Sequence, residues 1–303
     1  MSADAPDASE VIATLAGWFN DSARPLPWRE AGTTPWAILV SEVMSQQTQV
    51  SRVEPKWRAF ISRWPTPKEF AAASDAEAIR AWERLGYPRR AIQLRACAVA
   101  ICERHDGTVP SDLDDLMALP GIGPYTAGAV RAFAFGLPAP VIDTNIRRVL
   151  TRVFLGEALP PSPNARRDAE LWRTVTEGAT DFEQVALAKA AMELGALVCT
   201  SRSPVCEACP LSASCLWVSR GKPATDPTVR RVKQAPYSGS LRQMRGRILA
   251  ELRSVDRMRI DVLEASTGKT PEGGADERFS LALASLERDG LIVRVDDAVG
   301  LPG

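Results

Sequence analysis

Between Val11 and about Ile142 nearly every segment of the chain repeats its apolar residues at helical spacing over 8 to 15 residues, and none alternates as a strand would. Pro, Gly and Asp mark the breaks. The stretches "DAEAIRAWERLGY" and "RRAIQLRACAVAICERH" are clear cases, ending near Gly86 and Gly107. This half of the molecule can therefore only be packed helices. At 303 residues, 45% hydrophobic, the chain suffices for two compact domains, or one plus a small appendix, without covalent staples. Residues 1–9 are acidic and rich in Ala and Pro, and are expected to be disordered.

Past Arg220 the composition changes. "GKPATDPTVRRVKQAPYSGS" has the Pro, Gly and basic content of a linker. Leu241, Met244, Ile248 and Leu252 then mark one helix, "RIDVLEAS" a second, and Phe279, Leu283 and Leu286 a third that ends at Asp289 and Gly290. "LIVRVDDAVGL" predicts a hairpin turning at Asp296 and Asp297. Three helices and a hairpin is a winged-helix-like order, which elsewhere binds DNA or partner proteins or serves as a packing appendix.

Lys and Arg balance Asp and Glu at 37 each, so net charge gives no argument for nucleic acid, but from Arg220 to Arg259 eleven bases face three acids. That run suits a phosphate backbone, or simply a solvated linker and helix face. No apolar run approaches the roughly 18 residues of a membrane span, and the start "MSADAPDASE" is acidic. The expectation is a cytoplasmic protein that does not enter a membrane.

In a reducing compartment cysteines favour metal or cluster ligation over disulfides. "CTSRSPVCEACPLSASC" sets Cys199, Cys206, Cys209 and Cys215 apart by six, two and five residues. A four-thiolate zinc site and a reactive redox pair compete with an iron–sulfur cluster. Zinc sites usually show two close pairs and here only Cys206 and Cys209 are close, an asymmetry that favours the cluster. Cys97 and Cys102, on a helix, read as small core residues.

Two carboxylates stand out. In "TTPWAILVSEVMSQQTQV" Thr34 suits an N-cap and Pro35 a first helical position, which puts Glu42 on the same face as Ile38 and Leu39. A charge there costs free energy unless it is paired or neutralised, so Glu42 reaches water at the edge of the stripe, has a partner, or has a raised pKa. Asp143 precedes the helical pattern "NIRRVL" and would make a good N-cap, a position that favours negative charge. In "LMALPGIGPYTAGAVRAFAF", Gly121 and Gly123 permit a tight turn between two helices and bare amides at a helix N-terminus, which suits a phosphate or merely a turn.

Together "SEVMSQQTQV", "LPGIGPYTAGAV", "VIDTNIRRVL" and the four-cysteine loop resemble, over residues of about 24 to 218, the helix-hairpin-helix DNA glycosylases that carry a [4Fe-4S] cluster. Within that superfamily the chain is most similar to the MutY-type adenine glycosylases, which remove adenine misincorporated opposite 8-oxoguanine. The endonuclease III branch has a Schiff-base lysine where this chain has Tyr125, and the thymine-mismatch branch shares the tyrosine but lacks the glutamate.

The resemblance implies a mostly α fold: a six-helix barrel with the helix-hairpin-helix over 27–137, an iron–sulfur lobe from 10–26 and 138–218, a linker over 219–239 and a winged-helix-like unit over 240–303. It implies a monofunctional glycosylase, a nucleoid-associated monomer acting on double-stranded DNA with mispaired adenine. Glu42 and Asp143 would be its acid pair, assisted by Tyr125 and Asn145. Gln46, Gln47 and Tyr87 would meet the DNA where the base leaves, Gly121 and Gly123 would hold a phosphate, and Cys199, Cys206, Cys209 and Cys215 the cluster. A glycosylase for another mismatch, or a non-catalytic iron–sulfur DNA-binding protein, is the alternative. The sequence departs from the family in its tail, expected to be too short for the usual domain that reads 8-oxoguanine, and its one histidine, His105, lies elsewhere. Lesion recognition is then weaker, or supplied by the tail, or shared with Tyr87 and Gln47.

Overall fold

A computed structural model describes residues 5–224, 236–267 and 278–303. It is mostly helical: α1 Ala8–Ser22, α2 Pro35–Ser45, α3 Val50–Arg63, α4 Pro67–Ala71, α5 Asp75–Trp82, α6 Arg89–Arg104, α7 Leu113–Met117, α8 Pro124–Phe135, α9 Thr144–Leu150, α10 Ala165–Val175, α11 Asp181–Leu197 and α12 Leu216–Ser219. Then follow α13 Leu241–Leu252, β1 Arg257–Arg259, α14 Ile260–Thr267, α15 Arg278–Arg288, β2 Val293–Val295 and β3 Ala298–Gly300. No described helix is long and apolar enough to cross a membrane.

The helix starts follow from local chemistry. Thr34 Oγ1 accepts from the Ala37 amide at 3.2 Å, as its place before Pro35 predicts. Reciprocal capping boxes open α4, α5 and α11, through Thr66 and Glu69, Ser74 and Glu77, and Thr180 and Glu183. Asp7 accepts from the amides of Ser9 and Glu10, so helix begins at Ala8, inside the tail expected to be disordered.

The chain divides into two compact units, one of residues 1–42, 110–118 and 122–231, the other of 43–109, 119–121 and 232–303. In the first, α11 packs on α1 and α9. Val11, Ile12 and Leu15 meet a face of α11 made of Leu187, Ala188, Ala191 and Leu194, and Ile146 and Val149 complete the core. The small residues on α11 let a neighbouring backbone come close: a Cβ on Gly195 would stand 2.7 Å from Asn145 Cβ. Glu193, with no exposed side-chain surface, takes Arg24 Nε at 2.8 Å and Nη2 at 2.7 Å and Arg29 Nη2 at 3.0 Å. Burial works against its charge, but the bonds from Arg24 and Arg29 outweigh it and hold the carboxyl down to about 2.

In the second unit Phe60, Trp64 and Phe70 pack edge to face or tilted, with ring centroids 4.7 to 4.9 Å apart. The C-terminal segment has the expected helices, with Met244, Ile248, Leu252, Phe279, Leu283 and Leu286 buried. Its hairpin turns at Asp296 and Asp297, the former at φ 53. Strand β1, too short to show alternation, adds antiparallel to give the order β1-β3-β2 and completes a winged-helix arrangement. Most of the expected linker, residues 225–235, lies outside the described residues. The segment after it packs on α5, where Ala76 and Ile79 enter its core. Arg80 donates to the carbonyls of Arg253 and Val255, each at 3.2 Å, and Arg253 Nε returns a bond to the Ile79 carbonyl at 3.3 Å.

Ile79 is fully buried in this seam. We expect Ile79→Ala to cost about 2–5 kcal/mol in urea melts and to speed amide exchange in α13 and α15. Unchanged exchange in those helices would contradict the packing.

Candidate active site and cluster loop

Glu42 projects from α2 and keeps only 8% of its surface exposed. Tyr125, in the first turn of α8, donates its hydroxyl to Glu42 Oε2 at 3.0 Å. Burial is the largest influence on this carboxyl and pushes it up; the Tyr125 bond opposes, the charge of Asp143 adds to the rise, and Arg29 opposes, leaving it at about 7. The Tyr125 phenol is itself driven well above its usual range by burial and by the two carboxylates, so it remains a donor at any physiological pH.

Asp143 caps α9. Its Oδ1 accepts from the Ile146 amide at 2.6 Å and its Oδ2 from Asn145 Nδ2 at 2.8 Å. Burial raises this carboxyl too, against the pull of Ile146, Asn145 and Arg148. The two acids thus differ in what faces them. Asp143 has an aligned amide, a carboxamide and the charge of Arg148, whereas Glu42 has one neutral hydroxyl and the charge of Arg29.

Asn145 is fixed from behind. Its Oδ1 accepts from Arg148 Nη2 at 2.8 Å, which also donates to the Gly195 carbonyl at 2.7 Å, while Arg148 Nε donates to the Cys199 carbonyl at 2.7 Å. One turn on, where α9 widens into a π-turn over Thr151–Leu155, Arg152 donates to Cys199 Sγ at 3.2 Å and to the Thr200 carbonyl at 2.9 Å. Hydrogen bonds therefore run without a break from Asp143 to the first cysteine of the loop.

Cys199, Cys206, Cys209 and Cys215 line one pocket with Arg152 and Trp217. Backbone amides face the sulfurs, those of Leu211 toward Cys209 and of Trp217 and Val218 toward Cys215. Four thiols lining one pocket, aimed amides and a guanidinium on one sulfur suit thiolates carrying an iron–sulfur cluster. Burial pushes the Cys209 thiol up to about 11, so its thiolate needs the positive charge that iron supplies. Of the two cysteines expected in the core, Cys97 is fully buried, its thiol pushed up to about 12, whereas Cys102 is only half-buried.

Gln46, Gln47, Tyr87 and Gly121 belong to the other unit. Gln47 and Tyr87 hold left-handed backbone, at φ 53 and 48, a strained conformation for side-chain-bearing residues. The residue that gathers them is one the sequence does not single out. Arg90, at the start of α6, donates Nη1 to the carbonyls of Val43 at 2.8 Å and Gln46 at 2.6 Å, and Nη2 to that of Gly86 at 3.0 Å. Its guanidinium also lies 5.3 Å from the Tyr87 ring centroid. Gly121 turns at φ 75, and Gly123 forms the N-cap of α8 with Pro124 behind it, the geometry expected of the glycine hairpin. Arg29, Arg148 and Arg152 were equally hidden, although the four-residue spacing of the last two on a helix places them on one face.

An ionised Glu42 burdens the fold. With a folded value near 7 and an ordinary unfolded value, stability is intact below about pH 4.5 and lost as pH rises toward 7, by up to about 3 kcal/mol. Glu42→Gln cannot ionise, so we expect it to be the more stable protein in denaturant melts at pH 8 and equal at pH 4.5. The same offset at both pH values would contradict the burial argument.

Residues 40–174 match the model of the HhH-GPD superfamily base excision DNA repair proteins, and residues 199–215 that of the iron-sulfur binding domain of endonuclease III. The chain is 47% identical over 287 residues to the adenine DNA glycosylase of Mycolicibacterium smegmatis, covering 93% of this chain and 92% of that protein. With the human adenine DNA glycosylase it shares 37% over 220 residues, covering 69% of this chain and 40% of that one. Among solved structures, a thermostable thymine-DNA glycosylase superposes with a TM-score of 0.61 at 27% identity, over 71% of this chain and 97% of that one. An endonuclease III in non-covalent complex with DNA gives 0.59 at 25%, over 70% and 95%. The fold, the cluster loop and the near full-length similarity agree: the chain belongs to the adenine DNA glycosylase family of the helix-hairpin-helix base excision repair superfamily, with an iron–sulfur cluster held by its four-cysteine loop.

Proposed function

We propose that the protein hydrolyses the N-glycosidic bond of adenine mispaired with 8-oxoguanine or guanine in double-stranded DNA, without cutting the strand. The observation that carries this reading is a pair of carboxyl groups in unequal surroundings, Glu42 lifted to about 7 and Asp143 held by the donors of a helix start.

The target base must leave the stack, at a cost of a few kcal/mol that is least at a mismatch. Cleavage then needs a proton on the departing base and negative charge beside a sugar that becomes oxocarbenium-like, the demand that glycosidases meet with two carboxyl groups of separated pKa. Glu42 gives its proton to adenine N7, and the Tyr125 hydroxyl orients the carboxyl and stays with it as charge develops. Asp143 stabilises the sugar cation until water adds to it and passes its proton to the Glu42 carboxylate, and Asn145, anchored by Arg148, keeps the Asp143 oxygens turned to that task. A phenol at position 125 cannot form the Schiff base that strand cleavage by a lysine requires.

Gln46, Gln47 and Tyr87 fill the duplex where the base was, and the amides at Gly121 and Gly123 bind a phosphate. The cluster held by Cys199, Cys206, Cys209 and Cys215 supplies cross-linking of the loop. On this reading residues 27–137 grip DNA, and 10–26 with 138–218 carry Asp143 and the cluster.

Duplexes holding A opposite 8-oxoguanine, A opposite G and T opposite G, incubated with the protein and heated in alkali, test the specificity. Breaks at adenine in the first two and none in the third are expected; breaks only at thymine would contradict the reading. Glu42→Gln is expected to lose at least about 10²-fold in single-turnover rate while binding DNA as the wild type does, and a near-normal rate would remove Glu42 from the chemistry. Because the acid must carry its proton, the single-turnover rate should fall tenfold per pH unit above about 7. A rate flat to pH 9 would rule out a proton donor of that pKa.

A further inference from the structure

Of a groove of about 1000 Å³ in the second unit, between the Glu83–Pro88 turn and α13, the proposed reaction uses only Tyr87 at its edge. Six arginines line it, Arg52, Arg84, Arg242, Arg245, Arg247 and Arg253, against one carboxylate, Glu83. That carboxylate is already held by Lys56 Nζ at 2.6 Å. In a chain whose charges balance, this is a marked local excess of positive charge. Arg245 is occupied, by Asp289 at 2.7 Å. The guanidiniums of Arg84 and Arg247 have no hydrogen-bond or carboxylate partner among the described residues.

Two phenol rings stand at the same groove. Tyr87 is 49% exposed and Tyr237 59% exposed, far more than rings of that size usually are. Arg242, Gly246, Leu249 and Arg253 recur at spacings of four, three and four, so one face of α13 forms the wall. Gly246 sits mid-helix, where glycine is a poor choice. A Cβ there would stand 3.2 Å from the Tyr237 hydroxyl, so the missing side chain makes room for that ring.

Guanidinium groups bind phosphate and phenol rings take the face of a base, and pockets of this volume hold a ligand of nucleotide size. In a paired duplex the base faces are covered by their neighbours, so rings held ready for stacking suit a nucleotide without a partner. We propose that this groove receives an unpaired nucleotide of the bound DNA strand, its phosphate between Arg84 and Arg247 and its base against Tyr237. The inference rests on the reading of the chain as a DNA glycosylase only in taking DNA as the ligand, and adenine excision is not part of it. It also gives the winged-helix segment, which replaces no part of the catalytic centre, a contact with DNA.

The test uses the full-length protein, with fluorescence anisotropy on a duplex carrying one bulged 2-aminopurine nucleotide and on the same duplex fully paired. The wild type should prefer the bulged duplex. Arg84→Ala with Arg247→Ala should weaken binding of the bulged duplex about tenfold or more and flatten its salt dependence, with a smaller loss on the paired one. Tyr237→Ala should cancel the preference and leave the bulged base open to acrylamide quenching, from which the wild type shields it. Equal losses on both duplexes, or an unshielded base in the wild type, would each overturn the proposal. Adenine excision assayed in parallel separates the two readings, because the bulge preference can fail while excision persists, and the reverse.

Discussion

A carboxyl group removed from water and given only a neutral hydroxyl as its hydrogen-bond partner is the constraint on which the proposed active site turns. Glu42 lies under Tyr125 with no cation bonded to it among the described residues, and Arg29, whose charge acts on it, is spent on Glu193 at 3.0 Å. Had Arg29 been free to pair with Glu42, the carboxyl would have fallen below its ordinary range and carried no proton at neutral pH. The fully buried Glu193 holds Arg24 and Arg29 in place, and so helps keep Glu42 protonatable. On the proposed reaction, the fold accepts a less stable state above pH 7 for that chemistry, a conflict between stability and function common where a site needs an unpaired buried acid.

Buried arginines do much of the positioning. Arg148 and Arg152 tie α9 to the carbonyls and sulfur of Cys199, so closure of the cysteine loop around its cluster and orientation of Asn145 are mechanically joined. Arg90 does the same at the end of α2, taking carbonyls that a helix terminus leaves unsatisfied and bracing the turn that presents Tyr87. Each guanidinium serves several acceptors from one planar fork, which lysine could not do. The left-handed backbone at Gln47 and Tyr87 persists because Arg90 holds both neighbourhoods.

How much of this was legible beforehand varied with the range of the cause. Helix starts such as Thr34 and Pro35, the glycine hairpin and the cysteine spacing are local signals, and they appear in the structure where the sequence put them. The apolar face around Glu42 was equally visible, but whether the acid found a partner depended on Tyr125, 83 residues away. Strand β1 is only three residues long and carries no alternation to read. The seating of the C-terminal segment on α5 was hidden too, because Ala76 and Ile79 have the periodicity of any amphipathic helix whatever they pack on. The arginine clamps left no trace, since an arginine in a helix reads as a solvated residue until the carbonyls it meets are known.

The state of the Glu42 carboxyl can be observed without DNA or turnover. Carbon-13 chemical shifts of glutamate carboxyls, followed from pH 4 to 9 and assigned by comparison with Glu42→Gln, would report its titration directly. The account predicts one glutamate titrating at about 7, and the loss of that transition in the variant. A Glu42 resonance that titrates near the ordinary value of about 4.3 would mean that water or a cation reaches the group, and would contradict the claim that burial makes it an acid.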